Sequence, residues 1–284
     1  MARPARRFDW NNLRLRIVSG AILATAAIAV VIWGGPFLFL AMIALAVTLL
    51  SIEWARMAAP AAPTRVAVVV AAAVLAVGLL TFAGVRGASD VFTWRAVMPA
   101  MAMIALGSVA AAAASRRATR RWGDAAYGVL YVSPACLAIL WLHSTPQGPG
   151  WTVMLLATTW AADISAYAVG NAMKGPKLWP RFSPNKTWSG FAGGLVGASL
   201  AAVGVAALLM RLSLSGAALI GFCGGLATMM GDLWESILKR RFGVKDSGDL
   251  IPGHGGLLDR VDGLMFATLV FAASRLIVHL GWAH

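Results

Sequence analysis

The sequence predicts an all-α, polytopic integral membrane protein with about nine transmembrane helices and a cytoplasmic N-terminus. Three observations lead there. Of 284 residues, 60% are hydrophobic and only 12% are charged, and the mean hydropathy is +0.76, far more apolar than a soluble domain. The apolar residues gather into runs long enough to cross a bilayer. Lys and Arg fall between those runs, and they do so on alternate sides.

Residues 1–16 carry Arg3, Arg6, Arg7, Arg14 and Arg16 against a single Asp9. The apolar run 17–33 follows, then Gly34, Gly35 and Pro36, then the run 37–52. So short a connection reads as a tight helical hairpin, so the first run is expected to be retained and not cleaved as a leader. Further spans are expected at about 66–83, 96–114, 126–143, 151–171, 190–210, 216–238 and 263–282. With nine spans, 20 basic residues lie in the loops on the side of the N-terminus. Only Arg86, Arg95, Arg211 and Arg275 lie on the other. That asymmetry places the N-terminus and both large polar loops in the cytoplasm.

A net charge of +13 in a soluble chain would suggest nucleic acid. Here the basic residues border membrane spans, where orientation and anionic lipid account for them, and nucleic acid is not an expected partner. Cys136 and Cys223 lie inside apolar runs without CxxC spacing and are read as core residues. Gly193, Gly194, Gly197, Gly204, Gly221, Gly224 and Gly225 are expected to permit close helix packing in lipid, and such surfaces leave room for a homodimer. The chain reads as one integral domain, residues 1–284. Its first part, 1–150, is helical and poor in chemistry, and the rest, 151–284, carries the candidate site.

Asp163 stands inside an otherwise uncharged span, with Tyr167 one turn later and Gly170 beyond. An ionisable group at membrane depth is costly unless paired, metal-bound or wet, so it marks a site. The loop 174–190, K-G-P-K-L-W-P-R-F-S-P-N-K-T-W-S-G, offers Ser183, Lys186 and Thr187 before a helix start, an arrangement that suits phosphate. It lacks the G-x-x-x-x-G-K-[ST] pattern of P-loop enzymes. Near the end of the eighth span, Asp232, Glu235, Ser236 and Lys239 fall at i, i+3, i+4 and i+7, on one helical stripe.

The stretch from Ser236 to Asp262 is the charged exception. Its 27 residues hold ten ionisable groups, among them Arg240, Lys245, His254, Asp259, Arg260 and Asp262. His254 is bracketed by Gly253, Gly255 and Gly256, a poor setting for a packed core residue. Asp259 and Asp262 sit near the start of the last helix, where the macrodipole tolerates negative charge. Carboxylates from three helices make an oxygen-rich site suited to Mg²⁺, and Lys186, Lys239, Arg240, Lys245 and Arg260 supply cations for a polyanionic substrate. Paired Cys and clustered His are lacking, which argues against Zn²⁺.

This stretch resembles the signature of the phosphatidate cytidylyltransferases, or CDP-diacylglycerol synthases: S-x-hydrophobic-K-R-x4-K-D-x-small-x2-hydrophobic-P-x-H-G-G-hydrophobic-x-D-R-hydrophobic-D. Every fixed position matches. The upstream D-x3-Y-x2-G, S-P-x-K-T and G-D-x2-E-S elements are similar to the same family, so the resemblance covers about residues 163–263. It implies transfer of CMP from CTP to phosphatidic acid, giving CDP-diacylglycerol and pyrophosphate, in a multi-pass enzyme of the cell inner membrane that uses Mg²⁺, with K⁺ as a candidate second cation. It further implies that Asp163, Asp232, Asp259 and Asp262 hold metal, that Ser236 and Lys239 contact phosphate, and that Ser183, Lys186, Thr187, Arg240, Lys245, His254 and Arg260 bind substrate. Many members have Glu where this chain has Ser189, so Asp163 or Glu235 is expected to supply that charge. The alternative reading is an ion-coupled membrane transporter with Asp163 as its coupling site.

Overall fold

A computed structural model describes residues 10–86, 94–116, 122–180, 182–250 and 255–279. His254 and Arg181 lie outside the described residues. Nine helices are present among those described: α1 (Trp10–Trp33), α2 (Gly35–Ala58), α3 (Pro63–Arg86), α4 (Trp94–Ser115), α5 (Trp122–Ser144), α6 (Gly148–Met173), α7 (Trp188–Leu209), α8 (Leu214–Phe242) and α9 (Leu258–His279). Eight are long and apolar enough to cross a membrane, and the apolar part of α1 is the shorter Val18–Trp33. The protein is therefore all-α and polytopic.

Local chemistry explains the breaks. The chain passes from α1 to α2 through Gly35 in the left-handed region, φ 65°, with Pro36 in the first turn of α2. Thr187 caps α7 by accepting from the Gly190 amide, and Ser213 caps α8 by accepting from the Gly216 amide. α8 ends at Gly243, φ 77°, with Lys239, Arg240 and Arg241 in its last turn.

The sequence expectation of an irregular loop between α6 and α7 needs one addition. Lys177–Trp179 (β1) and Ser183–Thr187 (β2) pair antiparallel. Strands of three and five residues, broken by Pro180 and Pro184, are too short to leave an alternating pattern in the sequence. The hairpin matters because it carries Lys186.

α6 and α7 pack closely along small residues, and α8 lies between α7 and α9. Gly193, Gly194 and Gly197 of α7 face Val169, Ala162 and Ser165 of α6, as expected for close packing in lipid. Gly204 does not follow: nothing lies near where its side chain would be. Cys136 is buried, Cys223 half-buried, and neither is in a disulfide.

One contact places the site. A Cβ added to Gly231 would lie 2.5 Å from the carbonyl oxygen of Asp262 and 2.9 Å from the Cα of Gly263. One added to Gly263 would lie 2.9 Å from Asp232 Oδ1. The two glycines let α8 and α9 touch backbone to backbone, and the carboxylates of Asp232 and Asp262 are thereby brought together. Gly231→Ala should cost about 1–3 kcal/mol of stability by forcing the helices apart. Thermal unfolding in detergent measures it, and wild-type stability would show that the contact tolerates a methyl group.

The core of the first half gathers α2, α3 and α5 around Trp54, Val70 and Val129, and it continues onto α9 through Leu258 and Met265. The Trp54 indole is fully buried, and its N–H donates to the backbone carbonyl of Asp124 at 2.9 Å. The Asp124 carboxylate pairs with Arg241 at the end of α8.

Candidate active site

Residues separated widely in sequence meet at one end of α8. Lys186 Nζ, from β2, lies 2.9 Å from Asp232 Oδ2. This pair borders a cavity of about 430 Å³ between α6, the hairpin, α7 and α8, lined also by Asp163, Tyr167, Asn171 and Lys177. Asp163 is exposed to this space. It lies close enough to Asp232, Lys186 and Arg260 to feel their charges. The two cations, Lys186 and Arg260, offset the cost of a carboxylate at membrane depth.

Next to the cavity, Lys239 Nζ bridges Glu235 Oε2 at 2.9 Å and Asp259 Oδ1 at 2.6 Å. The stripe expected from helical spacing is thus real, and Lys239 ties it to α9. The second oxygen of Asp259 accepts from the Ser247 amide at 3.0 Å, the Ser247 hydroxyl at 3.0 Å and the Gly256 amide at 3.2 Å. Asp262 Oδ1 accepts from the amide of Gly263 at 2.8 Å, and its carboxylate interacts electrostatically with Asp232 and Glu235. Glu235 is buried, and its Oε1 has no hydrogen-bond donor. The Ser236 hydroxyl donates to the Asp232 carbonyl at 2.8 Å.

The other expected site residues are more dispersed. Arg240 and Lys245 are exposed, and so is Arg260, which is nonetheless within electrostatic reach of Asp163. Ser183 opens β2 opposite Trp179 and does not line the cavity. Thr187 does line it, but its hydroxyl is taken up as the cap of α7 and by Ser189 Oγ at 3.2 Å. Ser189 Oγ also accepts from the Gly175 amide at 3.3 Å, so the residue that stands in place of the family's Glu helps to close the hairpin.

Sequence reasoning missed Glu53 of α2. Its fully buried carboxylate accepts from the Leu257 amide at 2.8 Å and the Leu258 amide at 2.7 Å, and it lies 3.3 Å from the Ser247 hydroxyl, whose single proton is divided between Glu53 and Asp259. The available signal was a single acid ending the second apolar run.

The carboxylate oxygens here are of the type that a hard divalent cation takes. Among the described residues no three Asp, Glu, His or Cys side chains come together in a group that could hold a metal ion by itself. Mg²⁺ does not need one, since it commonly takes one or two carboxylates and completes its shell with water and phosphate oxygens. The carboxylates of Asp232 and Asp262 lie near enough to feel each other's charge, and Asp262 is within hydrogen-bond reach of Glu235.

The model of the "Cytidylyltransferase family" matches residues 14–278. A phosphatidate cytidylyltransferase of Pseudomonas aeruginosa is 37% identical over 284 residues, covering 95% of this chain and 98% of that protein. One from Brucella abortus is 34% identical over 263 residues, covering 91% of each. A third, from Mycobacterium bovis, is 42% identical over 119 residues, 42% of this chain and 39% of that protein. A match that runs from α1 to α9, well beyond the motif region, settles the matter: the chain belongs to the cytidylyltransferase family, and is a nucleotidyltransferase.

Proposed function

We propose that this protein transfers CMP from CTP to phosphatidic acid, giving CDP-diacylglycerol and pyrophosphate, at the cytoplasmic face of the inner membrane. The observation that carries this reading is the cavity in which Lys186, Asp232 and Asp163 meet, between membrane helices and beside the Lys239 bridge. It suits one substrate with a triphosphate and another whose acyl chains stay in lipid. The basic residues concentrated in alternate loops support the cytoplasmic orientation. A homodimer belongs to the same proposal and rests on the small-residue helix faces.

In the reaction a phosphate oxygen of phosphatidic acid attacks the α-phosphorus of CTP. The new O–P bond forms as the bond from the α-phosphorus to the bridging oxygen breaks, and pyrophosphate leaves with that electron pair. The nucleophile is already anionic near neutral pH, so no strong general base is required. Lys186 and Lys239 hold the phosphates and offset the charge that builds on the leaving group, with Arg260 within electrostatic reach of Asp163. The Ser236 hydroxyl, which donates to the Asp232 carbonyl in the resting site, would have to turn from that bond to donate to a phosphate oxygen. Asp232 and Asp262 would hold Mg²⁺, with Asp163 and Asp259 close by, and the bound ion supplies charge neutralisation across the phosphates. The Lys186–Asp232 pair keeps both groups neutralised until a polyanion takes up the lysine and releases the carboxylate.

Ion-coupled transport through Asp163 finds no support in the family, and Asp163 opens onto the same space as Lys186 and Asp232. The test is to incubate purified protein with phosphatidic acid, labelled CTP and Mg²⁺. A lipid-soluble cytidine product is expected, lost on chelation and restored by Mg²⁺. Its absence under varied salts would overturn the reading.

A further inference from the structure

α9 follows Leu257, whose side chain has no polar atom to cap it. The first amides of the helix need acceptors. The acceptors come from α2. Glu53 places Oε1 2.8 Å from the Leu257 amide nitrogen and Oε2 2.7 Å from that of Leu258, while fully buried. A carboxylate is well suited to the positive end of a helix, and two charge-assisted hydrogen bonds there fix the start of α9 in position and direction.

The same oxygen that accepts from Leu258 lies 3.3 Å from the Ser247 hydroxyl. That hydroxyl also lies 3.0 Å from Asp259 Oδ2, and the Ser247 amide donates to the same oxygen at 3.0 Å. Asp259 in turn accepts from Lys239 at 2.6 Å through its other oxygen. A continuous line therefore runs from Glu53 through Ser247 and Asp259 to Lys239. Glu53 itself does not line the cavity.

We propose that Glu53 is a positioning residue for nucleotidyl transfer. It sets the Asp259 carboxylate, and through it the Lys239 ammonium, by holding the start of α9 and Ser247 from the half of the chain that carries none of the motifs. The inference rests on the reaction proposed above. It assigns the N-terminal half a part in the chemistry beyond anchoring the protein in lipid.

The experiment compares wild type, Glu53→Gln, Ser247→Ala and the double variant as full-length purified proteins, with CTP and phosphatidic acid varied and unfolding followed in parallel. Glutamine keeps the shape but has one acceptor oxygen, so its amide group faces one of the two helix amides as a second donor. Per folded molecule, kcat should fall about tenfold or more in Glu53→Gln, with the KM for phosphatidic acid within about twofold of wild type. Ser247→Ala should lose about threefold or more, and the double variant should match Glu53→Gln within about twofold, because both act along one path. Ser51→Ala, fully buried on the same helix with its hydroxyl bonded to Val47 O, should keep wild-type kcat. Wild-type kcat in Glu53→Gln, or losses that multiply in the double variant, would overturn the inference. If Glu53→Gln does not fold, Ser247→Ala decides alone, and a wild-type kcat there overturns it. An inactive wild type would instead overturn the reaction itself.

Discussion

Asp232→Asn should lower CTP-dependent turnover by about 10³-fold or more while leaving unfolding close to that of wild type. The two effects separate because Asp232 is only partly buried and its ion-pair partner Lys186 is one-third exposed. An ion pair of that exposure contributes about 0–1 kcal/mol to stability, and an amide oxygen still accepts from a lysine. Catalysis is different. In the proposed reaction Asp232 would be one of the carboxylates that hold the cation, and its charge neutralises Lys186 in the resting site. Asparagine removes that charge without changing the shape, so the loss should appear in kcat and in the Mg²⁺ dependence, and not as a uniform weakening of CTP binding. Steady-state kinetics across CTP and Mg²⁺ concentrations make the measurement. Retention of more than about a tenth of wild-type kcat would remove Asp232 from the centre of the site.

The fold was readable because lipid enforces long apolar runs, and each of the nine expected spans has its helix among the described residues. The ends were less readable. The second run was expected to stop at Ile52, yet α2 continues to Ala58, because Glu53 points into protein and is paired there. Helical spacing alone disclosed the Asp232, Glu235, Ser236 and Lys239 stripe, since its members are one turn apart. It could not disclose their partners. Lys186 reaches Asp232 across 46 residues, and Glu53 reaches Ser247 across 194. No local pattern encodes such distances. The motif containing Thr187 illustrates a second limit. A hydroxyl beside a lysine at a helix start can serve phosphate or the helix cap, and here its geometry is that of the cap.

Lys239→Met should abolish turnover and also destabilise the protein by about 3–5 kcal/mol, whereas Lys186→Met should abolish turnover at a cost of only about 0–1 kcal/mol. Both lysines neutralise carboxylates next to the cavity, so chemistry alone would not distinguish them. Burial does. Around Lys239 the side-chain exposures are 15% for the lysine, 1% for Glu235 and 12% for Asp259. Removing the ammonium leaves two carboxylates facing each other across a space that water reaches poorly, and one Glu235 oxygen lacks a donor already. Around Lys186 the pair opens onto the cavity, and water can replace the lysine. The contrast is tested by unfolding of the two variants in the same detergent, with Lys239→Arg as a third. Arginine keeps the charge and should recover part of the stability without recovering turnover, because its planar fork does not reproduce the two contacts of the ammonium. Equal destabilisation by the two methionine variants would mean that the Lys239 bridge is as wet as the cavity. In that case the buried line from Glu53 would end at Asp259 and not reach the lysine.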